Sequence, residues 1–353
     1  MQKIAKTSNT DITLALPTAI LILLSLVVLN SIAPQLFPLY YLYIVLGIVS
    51  FIVFSNIDFD ILSLFSKHLY VASIILLILP LIIGQVTRGT IRWIPIGALT
   101  IQPAEIVRPF LIVFFANYLT VEELTTKRLL RAVLLLILPV FLILIQPSLG
   151  VAILTIIAFV GVLLASGLKI KYYLLGFLFT FISLPVFWFA MKDYQRQRLV
   201  SFIDPSKDPT GAGYNSIQSM ISVGSGKIFG RGLGRGVQTQ LAFLPEKHSD
   251  FIFAAVSEEL GLIGALVLLG LTFYLLTRFI SILENSQTFA ARAFMAGFFL
   301  TLLIQIVVHV GMNMGLLPIT GVPYPLVSAG GSSLLATMAG VGIASSCQKK
   351  KGT

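Results

Sequence analysis

From residue 12 to residue 57, forty-six positions in succession, the chain carries no Asp, Glu, Lys or Arg. Residues 293–348, fifty-six more, are interrupted only by His309. A membrane crossing needs about 20 consecutive apolar residues, so each stretch holds two crossings. Only 11% of the chain is charged and 57% is hydrophobic, against about 25% charged in a soluble domain. A water-soluble enzyme and an extended disordered chain are excluded. So is a disulfide scaffold, because the one cysteine, Cys347, has no partner within the chain. The first apolar run lacks a small-residue cleavage signal and reads as a retained span rather than a signal peptide.

Breaks rich in polar residues, Gly and Pro divide the chain into ten predicted helices. They fall at 13–32, 38–56, 69–87, 103–120, 130–146, 149–166, 172–191, 251–279, 290–315 and 322–345. The expected fold is an all-α polytopic membrane protein, one domain over residues 1–353, with a large loop at 192–249. Orientation follows from the basic residues. Alternate loops and tails on one side carry Lys3, Lys6, Lys67, Lys127, Arg128, Arg131, Lys169, Lys171, Arg278, Arg292 and Lys349 to Lys351, whereas the short loops opposite carry only Arg88 and Arg92. The positive-inside rule places both termini in the cytoplasm and the 192–249 loop outside. The net charge of +10 therefore reports topology and not nucleic-acid binding.

The long loop has eight glycines between 211 and 236, yet Ile217, Met220, Ile221 and Phe229 recur at helical spacing. They predict a short helix lying on the membrane surface. Structureless loops of this length are usually functional or disordered, and the apolar content favours function.

Three constellations could carry chemistry. The run Glu246-Lys-His-Ser-Asp250 ends where the eighth helix begins. Asp250 reads either as an N-cap or as a partly desolvated carboxylate poised to take a proton at the outer membrane face. Glu258 and Glu259 lie two turns further on, where a carboxylate is either paired with a neighbouring base or functional. The second constellation is Arg88, Arg92 and Trp93, followed by Gln102, Glu105 and Arg108. Glu105 and Arg108, three apart, share one helix face; they read as a buried ion pair or as a cation offered to a phosphate. The third is the loop cations Arg196, Arg198, Lys227, Arg231 and Arg235, either a solvated basic surface or a cradle for an anionic headgroup. The glycine spacing fits no dinucleotide fingerprint and there is no Walker A sequence. The histidines are too scattered for a zinc site.

Taken together these residues resemble the SEDS family (shape, elongation, division and sporulation), whose members include RodA, FtsW and SpoVE. The resemblance is carried by Phe243 to Ala254 (Phe-Leu-Pro-Glu-Lys-His-Ser-Asp-Phe-Ile-Phe-Ala) and Glu258 to Gly264. Arg92-Trp93, Ile101 to Glu105, Gly213-Tyr214 with Gln218, and Gly232-Leu-Gly234 add to it. Near the C-terminus come Asn313, Gly315 to Pro318, Gly321 to Pro325 and Ser328 to Ser333. The run Gln240 to Glu246 is nearer the RodA branch. Three positions depart from the common pattern: Arg108 stands for Lys, Ser148 for Asp and Ala329 for Tyr.

The resemblance implies a ten-helix peptidoglycan glycosyltransferase in the bacterial cytoplasmic membrane, acting in cell elongation and shape. Its substrates would be lipid II, a disaccharide-pentapeptide on undecaprenyl pyrophosphate, and the nascent glycan strand. Its partner would be a class B penicillin-binding protein, a transpeptidase. Asp250 takes the position of the family's catalytic aspartate. Arg92, Trp93, Glu105, Arg108, Arg198, Arg231, Arg235, Lys247 and His248 are the expected substrate contacts. A divalent cation, magnesium or manganese, could assist; neither nucleotide, haem nor flavin is expected. The competing readings are a lipid II flippase, an FtsW-like division polymerase, and a scaffold for another polymerase.

Overall fold

The computed structural model of the chain describes residues 12–83, 85–87, 90–208 and 211–348. The apolar frame opens with α1 (Ile12–Ile32), α2 (Leu39–Asn56), the short α3 (Phe59–Leu64) and α4 (Ser66–Ile83). An antiparallel meander of β1 (Gln85–Thr87), β2 (Thr90–Ile96) and β3 (Leu99–Ile101) follows. Next come α5 (Pro103–Thr120), α6 (Thr126–Ile145), α7 (Leu149–Ala165) and α8 (Ile170–Ala190). Three shorter helices, α9 (Asp193–Ile203), α10 (Ala212–Ser225) and α11 (Val237–Gln240), fill the long loop. The chain finishes with α12 (Ile252–Asn285), α13 (Phe289–Asn313) and α14 (Gly331–Ser346).

Among the described residues, α1, α2, α4, α6, α12 and α13 are long and apolar enough to cross a membrane. Only 28% of the apolar windows of α4 and α6 is buried against the rest of the protein. Side chains such as Ile82, Leu134, Ile137 and Phe141 therefore face outward, a surface that water would not tolerate as a continuous patch and that lipid does. The helix α8 presents Phe177, Phe179, Phe181 and Phe189 in the same way.

Lipid gives no hydrophobic reward for bringing helices together, so close contact depends on small residues and polar links. A Cβ on Gly161 of α7 would lie 2.7 Å from the Cα of Gly297 on α13, and that closeness sets the α7–α13 packing. Also on α13, Phe294 and Phe298 stack at 5.8 Å, with Phe59 and Phe279 against them.

The structure departs from the sequence expectations in four places. The third long helix stops at Ile83, not residue 87, and the stretch read as a loop from Arg88 to Thr100 contributes to the sheet. Its described part is rich in β-branched residues, which suit strands, and Ile94 pairs with Ile101 and Ile96 with Leu99. The last helix starts at Gly331, not residue 322. Pro318, Pro323 and Pro325 withhold backbone donors and bias the residues before them to extended forms, so residues 318–330 form an irregular segment instead. The eighth long helix runs on to Asn285. Finally, the expected surface helix exists as α10, with Phe229 beyond its end. Its apolar residues Ile217 and Ile221 are exposed and Met220, also partly exposed, packs over Gly315, while Ser216, Ser219 and Ser222 face the protein. The hydroxyl of Ser219 donates to the Asn313 carbonyl at 2.9 Å.

The helix α12 is broken at Gly261, whose φ of 69° and ψ of −164° are not helical. A side chain would be excluded there, since a Cβ would lie 2.2 Å from the Gly230 nitrogen. The backbone groups released by the break are taken up by the long loop. Arg231 N–H donates to Glu258 C=O at 2.9 Å and Gly232 N–H to Glu259 C=O at 3.0 Å. In return Leu262 N–H donates to Lys227 C=O at 2.8 Å and Ile263 N–H to Ile228 C=O at 3.2 Å. Irregular backbone survives at membrane depth only where protein satisfies it. The long loop is therefore locked onto α12 just beyond Asp250.

Candidate active site

Asp250 belongs to a tight turn that precedes α12. The Glu246 carbonyl accepts the N–H groups of Ser249, Asp250 and Phe251 at 3.0, 3.1 and 3.3 Å, and Glu246 itself has a left-handed φ of 50°. The cap position of α12 is Phe251, with no side-chain cap bond. Of the two readings of Asp250, capping is therefore not its place in the fold. The turn opens instead onto a cavity of about 720 Å³.

The wall of that cavity brings together residues far apart in sequence. Asp250 and His248 meet Arg92 and Trp93 of β2, Glu105 of α5 and Arg198 of α9. Gln102, Ser148, Tyr40 and Tyr43 continue the lining, as do the Gly321 region and Gly330 to Ser333. Cross-links hold this wall. Gln102 N–H donates to Ser332 Oγ at 2.7 Å, and its side-chain amide donates to Ser148 Oγ at 3.2 Å. Tyr43 OH donates to Thr100 C=O at 2.8 Å. Ser148, which departs from the family's common Asp, serves here as a neutral partner for Gln102.

A second cavity, about 390 Å³, opens on the other side of the turn. It is lined by Gln197, Asp208, Asn215 and Phe251, and it shares Arg198, Glu246, Asp250 and Ile319 with the first. Asp250 and Arg198 thus stand where the two spaces meet. A Cβ on Gly321 would lie 3.6 Å from Asp250 Oδ2 and 4.0 Å from Arg198 Nη1, so both charged groups close over that glycine. The Arg198 guanidinium also donates to Ile319 C=O at 3.3 Å.

Other expected contacts lie elsewhere. Arg108 is buried and donates to Glu105 at 2.8 Å and to Gln305 at 3.4 Å; Glu105 stands on the cavity wall and Arg108 does not. Gln305 in turn donates to Pro323 C=O at 2.8 Å, so the ion pair braces the irregular segment. Arg231 and Arg235 are exposed on the loop and line neither cavity. Lys247 also lines neither: its ammonium donates to the Thr239 carbonyl. Burial pushes the Lys247 pKa down, and the nearby Glu259 and Glu258 carboxylates oppose that shift. Arg88 lies outside the described residues. Among the described residues, no three His, Cys, Asp or Glu side chains gather in a way that could hold a metal ion. The donor set of the described residues does not fit a resident cation held by protein ligands alone.

Glu258 and Glu259 resolve as anchors for the loop. Glu258 accepts the N–H groups of Gln238 at 2.9 Å and Thr239 at 3.0 Å. Glu259 accepts from Ser31 Oγ at 2.8 Å, Gly234 N–H at 3.0 Å and the Gln240 amide at 3.1 Å. Sequence reasoning missed Tyr40, Tyr43, Gln195, Gln197 and Asn215 as lining residues; only the fold brings them to Asp250.

Comparison with known proteins shows the family to which the chain is similar. The pattern of the cell cycle protein family FtsW/RodA/SpoVE matches residues 11–352. Peptidoglycan glycosyltransferase MrdB of Escherichia coli (strain K12) is 40% identical over 304 residues, covering 85% of this chain and 82% of the relative. A probable peptidoglycan glycosyltransferase FtsW of Buchnera aphidicola is 34% identical, covering 83% and 79%. Among solved structures, a chain of a peptidoglycan synthase complex that coordinates polymerization and crosslinking superposes with a TM-score of 0.81 at 30% identity, covering 95% of this chain and 96% of that one. The rod shape determining protein RodA of Thermus thermophilus superposes with a TM-score of 0.71 at 28% identity, covering 95% of each chain. The chain belongs to the FtsW/RodA/SpoVE family of cell cycle proteins.

Proposed function

We propose that this protein is a peptidoglycan glycosyltransferase of the RodA kind, polymerising lipid II for cell elongation, with Asp250 as its general base. The observation that carries this reading is the position of Asp250 and Arg198 at the junction of two cavities. A polymerase must hold two sugar-bearing substrates with their reacting atoms in contact, and a carboxylate at a junction can serve one while facing the other. The larger cavity, bounded by apolar helices and by Arg92 and Arg198, suits the lipid-linked donor. The smaller, lined by Gln197, Asn215 and Asp208, suits the acceptor sugar.

The reaction is a displacement at the anomeric carbon. Asp250 takes the proton of the acceptor 4-hydroxyl, and the oxygen forms the new glycosidic bond as the anomeric carbon–phosphate oxygen bond breaks. The electron pair leaves with undecaprenyl pyrophosphate, and the carbon inverts. Arg198 and Arg92 are placed to stabilise charge developing on the departing pyrophosphate. His248 and Trp93 complete the wall.

The membrane reading has ten crossings, both termini cytoplasmic and the Asp250 site extracytoplasmic, in the bacterial cytoplasmic membrane. It is supported by the six long apolar helices and by the thirteen-to-two asymmetry of basic residues. The partner is a class B penicillin-binding protein; support comes from the synthase complex among the similar structures. Purified protein in vesicles with labelled lipid II tests the activity. Glycan strands support polymerisation; translocation of lipid II without strands would contradict it and favour a flippase.

A further inference from the structure

Three successive carbonyls of the Asp250 turn are gripped from outside the turn. His248 C=O accepts from Ala329 N–H at 2.8 Å. Ser249 C=O accepts from Ser328 Oγ at 2.7 Å. Asp250 C=O accepts from the Asn313 side-chain amide at 3.0 Å. Asn313 is the last residue of α13, and its side chain is fully buried.

The same Asn313 amide does more than hold one carbonyl. Its oxygen accepts Ala254 N–H at 3.0 Å, and its second N–H donates to His309 C=O, one turn back in α13, at 2.7 Å. Asp250 and Ala254 stand four apart, the spacing of a helical hydrogen bond. The amide therefore bridges that pair as one inserted peptide-like unit. Every hydrogen-bonding site this requires of an asparagine is used in one sense only. Turning the amide over would set its NH₂ against the Ala254 N–H and its oxygen against two carbonyls. The arrangement admits one orientation and fixes the backbone from which the Asp250 carboxyl projects.

We propose that Asn313, assisted by Ser328, is the positioning residue of the catalytic turn: it sets where the Asp250 carboxyl lies at the junction of the two cavities without touching substrate. This rests on Asp250 being the base. The chemistry needs the carboxyl within hydrogen-bond reach of an acceptor hydroxyl, and a misplacement of about 1 Å can cost on the order of 10²-fold in rate. Neither Asn313 nor Ser328 lines either cavity, so substrate binding does not depend on them directly.

The test uses the full chain in detergent or vesicles with lipid II, and compares Asn313→Asp, Asn313→Ala, Ser328→Ala and Asp250→Asn. Asn313→Asp keeps shape and the acceptor for Ala254 but offers nothing to the Asp250 and His309 carbonyls. Both Asn313 variants should lower kcat about 10²-fold per folded molecule while KM for lipid II stays within about threefold. Ser328→Ala should lower kcat about tenfold, also at constant KM. A role confined to folding would instead lower the folded fraction and leave turnover of the remaining molecules unchanged; that result overturns the proposal, as does a loss carried wholly by KM. If neither Asn313 variant folds, Ser328→Ala decides alone, and unchanged kcat overturns the clamp. Failure of the base assignment is separable. Normal polymerisation by Asp250→Asn removes the base and the proposal with it; an inactive Asp250→Asn beside fully active Asn313 variants removes only the positioning role.

Discussion

The buried carboxylate of Glu258 holds Thr239 by its backbone, accepting its N–H at 3.0 Å as well as that of Gln238 at 2.9 Å. An apolar helix thereby fastens the long loop, and the next segment of chain after the fastened residues is the Asp250 turn. Lys247 sits above the same carboxylates with its ammonium on the Thr239 carbonyl. The long loop is thus part of the helix bundle and not an appendage.

Glu258→Gln should loosen that fastening. The amide keeps one acceptor oxygen but turns an NH₂ toward a second N–H, leaving a buried donor unpaired at a cost of roughly 1–3 kcal/mol. Hydrogen exchange at Gln238 and Thr239 should speed at least tenfold, and polymerisation should fall with it. Unchanged protection at both amides would separate Glu258 from the loop.

Glu105 and Arg108 form a buried pair at 2.8 Å, each about 4–5% exposed. Removing one charge strands the other in a low-dielectric interior, which costs about 3–5 kcal/mol. Glu105→Arg or Arg108→Glu alone should lower the thermal midpoint and activity. Exchanging both should restore part of each. A double variant no better than the singles would show that direct pairing is not what these residues supply.

The loop cations divide by position. Arg198→Ala should reduce kcat on the order of 10²-fold, the size of effect expected when a donor to developing charge is removed. Arg231→Ala and Arg235→Ala, which line neither cavity, should stay within about threefold of the wild type. Initial rates of strand formation at saturating lipid II make the comparison. An Arg231 or Arg235 loss as large as that of Arg198 would move the pyrophosphate away from the junction.

Gly261→Ala should be poorly tolerated. The new methyl would lie 2.2 Å from the Gly230 nitrogen and 2.5 Å from the Ile228 carbonyl oxygen. An L-residue at that φ and ψ carries a further strain of about 1–3 kcal/mol. A thermal melt in detergent should show a lower midpoint together with loss of the loop's attachment; an unchanged midpoint would mean that the break in α12 is not needed.

Much of this architecture was legible in the sequence because lipid leaves few choices. The charge-free run 12–57 folds into two helices, α1 and α2, each long and apolar enough to cross a membrane. Asp250 stood out as a carboxylate beside an apolar helix, open to both a cap and a base reading, but the cavities it lines were not legible. The irregular elements were harder to read. The apolar stripe of α10 is real, but Ile217 and Ile221 look outward and Ser216, Ser219 and Ser222 form the inner face. A serine face carries no periodic hydrophobic signal. Lys247, Arg231 and Arg235 were indistinguishable from Arg198 by charge and spacing alone; their separation depends on how α9 and the glycine-rich loop fold back on α12. Asn313 lies 63 residues from Asp250, and nothing local to either residue announces that they meet.

The most direct measurement is polymerisation of labelled lipid II by purified Asp250→Asn, with correct insertion verified by a melt and by lipid II binding equal to wild type. The account predicts a folded, substrate-binding protein that makes no glycan strands. Strand formation near the wild-type rate by that variant would contradict it.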